Sequence, residues 1–186
     1  MRERIDSLDN KKLRPIAKFQ LETACRLSEA VGKYAIQKKD LTFTNYKGHD
    51  LALFTLKTAK REGINRIVAL PLSNNRVKEL VDYFQSRKRK LFEYGPSSVR
   101  HLLAEEFKDL KYFIERYTPK KGIVIQAHER SMATHALRHL RLSELINVYG
   151  FDEIDLSTFA GWKMKGMSSR YATLAWGRYI DKLVGR

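Results

Sequence analysis

A single cysteine, Cys25, stands among 186 residues. No disulfide can form within the chain, and no cysteine cluster can hold zinc or an iron–sulfur centre. A reducing compartment is the simplest setting, and Cys25, in an apolar run beside Arg26, reads as a buried, inert thiol. Prolines are scarce as well, four in all, which leaves long stretches free for regular structure. No apolar run is long enough to cross a bilayer, and the opening Met1-Arg-Glu-Arg-Ile-Asp6 has no secretory apolar region. The chain reads as soluble and intracellular, with no membrane partner. Internal repeats and low-complexity linkers are also lacking, so one domain over 1–186 is expected, and 43% hydrophobic content suffices for one core.

Acidic residues are the other shortage. Against 36 Lys+Arg there are 21 Asp+Glu, a formal charge of +15 and a pI of about 9.9. Such a chain favours a polyanion, because every phosphate it neutralises releases condensed counterions. Charge alone does not separate nucleic acid from an anionic membrane surface.

Hydrophobic spacing supplies the architecture. Ile16, Phe19, Leu21, Ala24, Leu27 and Val31 predict a helix ending near Gly32. Three β-like runs follow, at 41–46, 51–56 and 66–70, separated by Lys47-Gly-His-Asp50 and by a basic stretch ending in Gly63. They predict a small antiparallel meander. Helical periodicity returns from Asn75 through Val77, Leu80, Val81 and Phe84, then over 97–103 and 107–117, with Pro96 and Pro119 as punctuation. A further helix is predicted with Thr134 as N-cap and Gly150 just past its end. The fold class is therefore α+β, mainly α: a helical domain with a small three-stranded antiparallel sheet.

On that last helix, His135 and Arg138 share a face with Leu142, Leu145 and Tyr149, which puts the two polar residues at the rim of the core. Arg138 and the arginine of Arg26-Leu-Ser-Glu29 suit a phosphodiester under attack, whose non-bridging oxygens gather charge that guanidinium forks neutralise without deprotonating. His139, one turn from His135, offers a zinc pair. Neither a cysteine nor a carboxylate completes that set, and Ala136 stands where an HEXXH motif needs Glu. A structural hydrogen bond is the expected role of His139, and no metal or other cofactor is implied. Bland readings stand beside each residue: Arg26 and Glu29 form an ordinary i, i+3 ion pair, Lys57 is one charge among Lys57, Lys60 and Arg61, and Trp162 is a core residue. The run Arg87-Lys88-Arg89-Lys90 reads as a DNA-backbone contact or as a solvated face.

Taken in order, these residues resemble the tyrosine recombinase family, the phage and archaeal integrases with Xer- and Cre-like proteins. Thr23-Ala-Cys-Arg-Leu-Ser-Glu-Ala30 matches the family's TGLRxSEL box, and His135-Ala-Leu-Arg-His-Leu-Arg-Leu-Ser143 its HxLRHxxAT box. Phe159-Ala-Gly-Trp-Lys163 and then Tyr171 match its LGHxS stretch and tyrosine, at the family's interval. The resemblance runs from about Lys18 to Tyr179 and departs from the pattern at Trp162, where the family usually has His. An indole N–H donates to a phosphate oxygen but shuttles no proton.

The resemblance implies a site-specific recombinase or integrase catalytic domain of the DNA breaking-and-rejoining fold. Tyr171 would attack the scissile phosphate, giving a 3′-phosphotyrosyl enzyme and a free 5′-hydroxyl. Arg26 and Arg138 would stabilise the pentavalent phosphate with Trp162 as a third donor, and Lys57 would protonate the leaving oxygen. His135 would accept the tyrosyl proton or position the phosphate, Glu29 would orient Arg26 or His135, and His139 would lie behind the site. Tyr179 competes for the nucleophile's role, but spacing from Trp162 favours Tyr171, and Tyr179 falls on the apolar side of the last helix with Trp176, Ile180 and Leu183. The implied partners are double-stranded DNA and further copies of the chain in a synaptic tetramer, with a monomer when free and a cytoplasmic, nucleoid-associated location.

A helical core-binding domain normally precedes the first box, and 25 residues precede Arg26 here, so a catalytic domain alone is expected. The family's final helix commonly docks into a neighbouring subunit. Residues after about Ala172 are therefore expected in trans in the DNA-bound assembly, with cis packing equally open for the free monomer. Two other readings remain. A type IB topoisomerase shares the Arg, Lys and Tyr chemistry but has Lys for the His of HxxR, and a non-catalytic basic nucleic-acid-binding module needs no ordered set at all.

Overall fold

Helix α2 (Leu13–Thr23) is the centre of the molecule. Its Leu13, Ile16, Ala17, Phe19 and Leu21 are buried, and α1 (Arg2–Asp6), α4 (Asn75–Ser86), α5 (Pro96–Glu106) and α6 (Thr134–Asn147) pack around it. This computed structural model describes residues 1–57, 65–88, 91–117, 125–131, 134–162 and 176–185, with the backbone alone described over 112–117 and 125–131. The buried carboxylate of Glu22 on α2 accepts from Arg2 at 3.2 Å and Arg76 at 2.8 Å, and lies 3.9 Å from Arg141. Helices α1, α4 and α6 are thus fixed to α2 by charge as well as by apolar packing.

The spacing predicted one helix up to Gly32, and the structure has two. Helix α2 stops at Thr23, Ala24 turns left-handed (φ 47°, ψ 33°), and α3 (Leu27–Ala30) starts after an extended Arg26. Ala24 and Leu27 are buried on both sides of the break, so hydrophobic periodicity runs through it unmarked. Periodicity records which residues are covered, and the backbone path between them is left open. The left-handed turn costs an alanine about 1–2 kcal/mol.

The predicted meander is present. Strands β1 (Leu41–Tyr46), β2 (His49–Lys57) and β3 (Asn65–Pro71) form an antiparallel sheet in that order. Lys47 and Gly48 make the two-residue turn between β1 and β2, both with positive φ (52° and 81°), the geometry that matches strand twist. Phe54 of β2 meets Phe19 and Phe84, each at 5.5 Å, and Phe92 closes the cluster 5.7 Å from Phe19. Edge-to-face rings fill the layer between sheet and helices.

The stretch 107–117, expected to be helical, is not. Phe107 closes α5, and β4 (Lys111–Tyr117) pairs antiparallel with β5 (Ile125–Ser131) in a second, two-stranded sheet. Phe107, Leu110, Ile114 and Tyr117 do fall at helical spacing, but Tyr112-Phe-Ile114 and Ile123-Val-Ile125 are runs of aromatic and β-branched residues that favour a pleated strand. Helix α6 has Thr134 as its first residue rather than its cap, and Gly150 is left-handed (φ 65°). Helix α7 (Glu153–Ala160) was not anticipated. Asp152 caps it by accepting from the Asp155 N–H at 2.9 Å, and Gly161 (φ 68°) ends it. The whole remains α+β and mainly α. Among the described residues no helix is long and apolar enough to cross a membrane.

Helix α8 (Gly177–Val184) packs in cis. Tyr179 and Ile180 are fully buried, Tyr179 lies 5.3 Å from Phe151 and 5.4 Å from Phe159, and Trp176 sits edge-on to Tyr46 at 5.3 Å. In the free chain its apolar stripe therefore needs no second copy. Ile180→Ala is expected to cost about 2–5 kcal/mol and to lower the melting temperature equally at every protein concentration. A concentration-dependent drop in a melting series would mean that another copy covers the helix.

Candidate active site

Ending α2 at Thr23 frees its last carbonyls from helical N–H partners. Two guanidiniums take up the carbonyl of Ala24: Arg138 donates through Nη1, and Arg66 through Nη2 at 3.5 Å. The end of α7 is bound by the same pair, with Arg66 Nη1 donating to the Phe159 carbonyl and Arg138 Nη2 to the Ala160 carbonyl at 2.9 Å. Cations at helix C-termini oppose the negative end of the macrodipole, which offsets part of the cost of burying Arg66 and Arg138 to 6% and 4% exposure. These bonds fasten together the α2–α3 break, the start of β3, and the turn at Gly161 that leads into Trp162.

Glu29 joins Arg26 to this cluster. Its Oε1 accepts from Arg26 Nη1 at 2.9 Å, and its Oε2 accepts from the Arg26 backbone N–H at 2.9 Å and from Arg66 Nη2 at 3.0 Å. The backbone bond closes a capping box across α3, so the short helix and the arginine before it are set by one carboxylate. Glu29 therefore holds both the side chain and the backbone N–H of Arg26. Arg26 and Arg66 bind that carboxylate and Arg138 lies within reach of the same charges, so positive charge is in excess. Burial, reinforced by the charges of Arg66 and Arg26, pushes Arg138 down to about 10. Cys25 lies in the same break, its thiol pushed up to about 12 by burial, as fits an inert side chain.

Burial alone would raise the Glu29 carboxyl, but the charge of Arg66 and the bonds from Arg26 and Arg66 outweigh it and hold the group below its ordinary value. A depressed carboxylate contributes stability above its unfolded pKa, and that contribution fades as pH falls through the lower folded value. Glu29→Gln is expected to destabilise the fold by about 3 kcal/mol near neutrality, since it strands buried guanidiniums. Part of the difference from wild type should vanish below about pH 4. Equal denaturation midpoints at pH 7 would remove Glu29 from this role.

The remaining residues are distributed unevenly around the cluster. Arg138 is buried rather than at the rim, with Leu142 and Leu145 beneath it, while His135 one turn earlier is exposed. His139 is also on the exposed side, its ring edge-on to His135 at 5.3 Å. Burial and the charge of Arg138 lower its pKa. Among the described residues no group of three His, Cys, Asp or Glu side chains is placed to hold a metal. Trp162 is 44% exposed and anchored by its backbone N–H to the Ser157 carbonyl at 2.9 Å, so it is a surface residue beside the cluster and not part of the core. Lys57, half-buried, ends β2. It pairs with Asn65 while Leu56 pairs with Arg66, and strand alternation therefore sends Lys57 to the sheet face opposite Arg66.

Tyr171, Lys60, Arg61, Arg89 and Lys90 lie outside the described residues, as does the 163–166 stretch. Arg87 pairs with Glu93 at 2.6 Å and lies over the Tyr83 ring, and Lys88 is exposed. Tyr179 is excluded as an accessible nucleophile: it is fully buried, its hydroxyl accepts the Ala69 N–H at 3.0 Å, and burial raises its pKa.

Sequence reasoning missed Arg66. The signal was its parity, for Arg66, Val68 and Leu70 alternate onto one strand face, and Val68 and Leu70 are buried. A charged residue in phase with a buried strand face must find partners inside. No protein-family model matches the chain, and no curated protein matches it significantly.

Proposed function

We propose that this chain is the catalytic domain of a tyrosine recombinase, an intracellular enzyme that cleaves and rejoins DNA strands through a phosphotyrosyl intermediate. One observation carries the reading: Arg26 and Arg138, 112 positions apart in the chain, enter a single arginine-rich cluster in which Glu29 is the carboxylate bound by Arg26 and Arg66. Buried guanidiniums in excess over carboxylate are costly to maintain without an anion. A phosphodiester in its transition state supplies the complementary charge.

In this reading the Tyr171 oxygen attacks phosphorus, the phosphorus–5′-oxygen bond breaks, and a lysine, either Lys60 of the segment that follows β2 or, after a shift of the strand end that brings it round from the opposite face, Lys57, returns a proton to the leaving oxygen. Arg26 faces the phosphate from the surface of the cluster, with its side chain 20% exposed. Arg138 supports it from beneath and fixes the Gly161 turn, so that the Trp162 indole N–H forms the outer edge of the site. His135, exposed at the start of α6, positions the phosphate or takes the tyrosyl proton. The 5′-hydroxyl of a partner strand reverses the reaction, and several copies of the chain on DNA bring the two strands together. Neither ATP nor a metal enters any step.

Incubation of the purified chain with nicked duplex DNA of mixed sequence, from which the short cleaved strand dissociates, is expected to leave a covalent complex that survives denaturant. EDTA should not change its yield. Mapping the adduct to a residue other than Tyr171 would overturn the assignment, and a DNA-binding chain that forms no adduct would be a non-catalytic module. Relaxation of supercoiled plasmid without strand exchange would favour a topoisomerase.

A further inference from the structure

We propose that Arg66 is a positioning residue of this site: by holding Glu29 and the Phe159 carbonyl at once, it fixes Arg26 relative to the turn that carries Trp162. The inference deepens the strand-transfer reading and rests on it for its DNA measurements. Arg66 Nη2 binds the Glu29 carboxylate at 3.0 Å, Nη1 binds Phe159, and the same Nη2 reaches the Ala24 carbonyl that Arg138 also holds. Arg26 hangs from the other oxygen of Glu29. Removing Arg66 would therefore loosen both walls of the site while leaving Arg138 its two carbonyls.

A purely structural role accounts poorly for this arrangement. Its guanidinium is buried beside that of Arg138, a like charge, and its Nε is buried with no hydrogen-bond partner among the described residues. Apolar packing fills such a space at least as well, because a buried ion pair recovers little more than the desolvation it costs. What an apolar side chain cannot do is fork between a carboxylate on α3 and a carbonyl ending α7, and only a guanidinium offers that planar reach. Arg66 also follows Asn65, the partner of Lys57, and lies opposite Leu56. The paired ends of β2 and β3 thus carry Lys57 on one face and Arg66 on the other, so a shift of this end on DNA moves both.

The test uses the full chain with Arg66→Met and Arg66→Lys, reading three quantities: the adduct-forming rate at saturating nicked duplex, the dissociation constant for that duplex, and the indole N–H resonances of Trp162 and Trp176. For Arg66→Met the rate is expected to fall about 100-fold, of the order of losing one fixed transition-state donor, with DNA affinity within about threefold because backbone contacts are unchanged. The Trp162 resonance should move and that of Trp176 should stay. Arg66→Lys should recover part of the rate, since an ammonium keeps the pair with Glu29 but not the fork. An unmoved Trp162 with a wild-type rate would overturn the proposal, as would a rate loss matched by lost DNA affinity, which would make Arg66 a DNA ligand. If Arg66→Met does not fold, Arg66→Lys decides: an intermediate rate with a shifted Trp162 supports positioning, and wild-type values refute it. A wild-type chain that forms no adduct would sink the strand-transfer reading alone, leaving the Trp162 resonance to decide on Arg66.

Discussion

Tyr171→Phe is expected to abolish the covalent DNA adduct while changing DNA affinity and melting temperature little. The substitution removes one hydroxyl, and affinity for DNA rests on Lys and Arg contacts to phosphate. No neighbouring tyrosine takes over, because the competitor on α8, Tyr179, is fully buried with its hydroxyl bonded to the Ala69 N–H. Tyr179→Phe, by contrast, should leave an unsatisfied buried N–H at a cost of about 1–3 kcal/mol and still form the adduct. The pair is best read by gel shift and by denaturing gel on the same preparations. An adduct that survives in Tyr171→Phe and is lost in a folded Tyr179→Phe would reverse the assignment.

The parts of the fold that sequence made legible are those in which burial and backbone agree. The meander followed from β-rich runs split by Lys47-Gly48, whose positive φ values are what such a turn requires. Helices α4 and α5 followed from clean spacing and from Pro96 at the first turn of α5. Illegible were the places where apolar spacing is compatible with two backbones. The break at Ala24 hides inside one continuous apolar pattern, and 107–117 reads as a helix while its aromatic and β-branched residues pair as a strand.

In the candidate site, Arg26, Glu29 and Arg138 were visible as residue types in order, and their joining to the α7 turn is a tertiary fact that no local pattern carries. Arg66 shows the limit differently. Its strand parity was readable, but its partners, Glu29 and Phe159, are 37 and 93 positions away. With 21 acidic residues against 36 basic ones, a buried arginine cluster is left short of carboxylates.

Arg138→Lys is expected to lower the adduct-forming rate by about 10²–10³, the usual cost of one transition-state donor, although the formal charge is kept. The reason lies in what Arg138 holds. Two of its nitrogens reach two carbonyls, Ala24 at the end of α2 and Ala160 at the end of α7, and a single ammonium cannot span both while still facing phosphate. Charge is at risk as well. Burial and the charges of Arg66 and Arg26 bring the native guanidinium down to about 10, and an ammonium begins about two pH units lower than a guanidinium. Burial and the neighbouring charges would push an ammonium at this place down from that lower start. Activity of Arg138→Lys should therefore decline as pH rises from 6 to about 9, where the native guanidinium remains largely protonated. Single-turnover rates across that range, measured at saturating DNA, give the answer: a variant that matches wild type at every pH would remove Arg138 from the site, and a uniform loss without pH dependence would assign the defect to geometry alone.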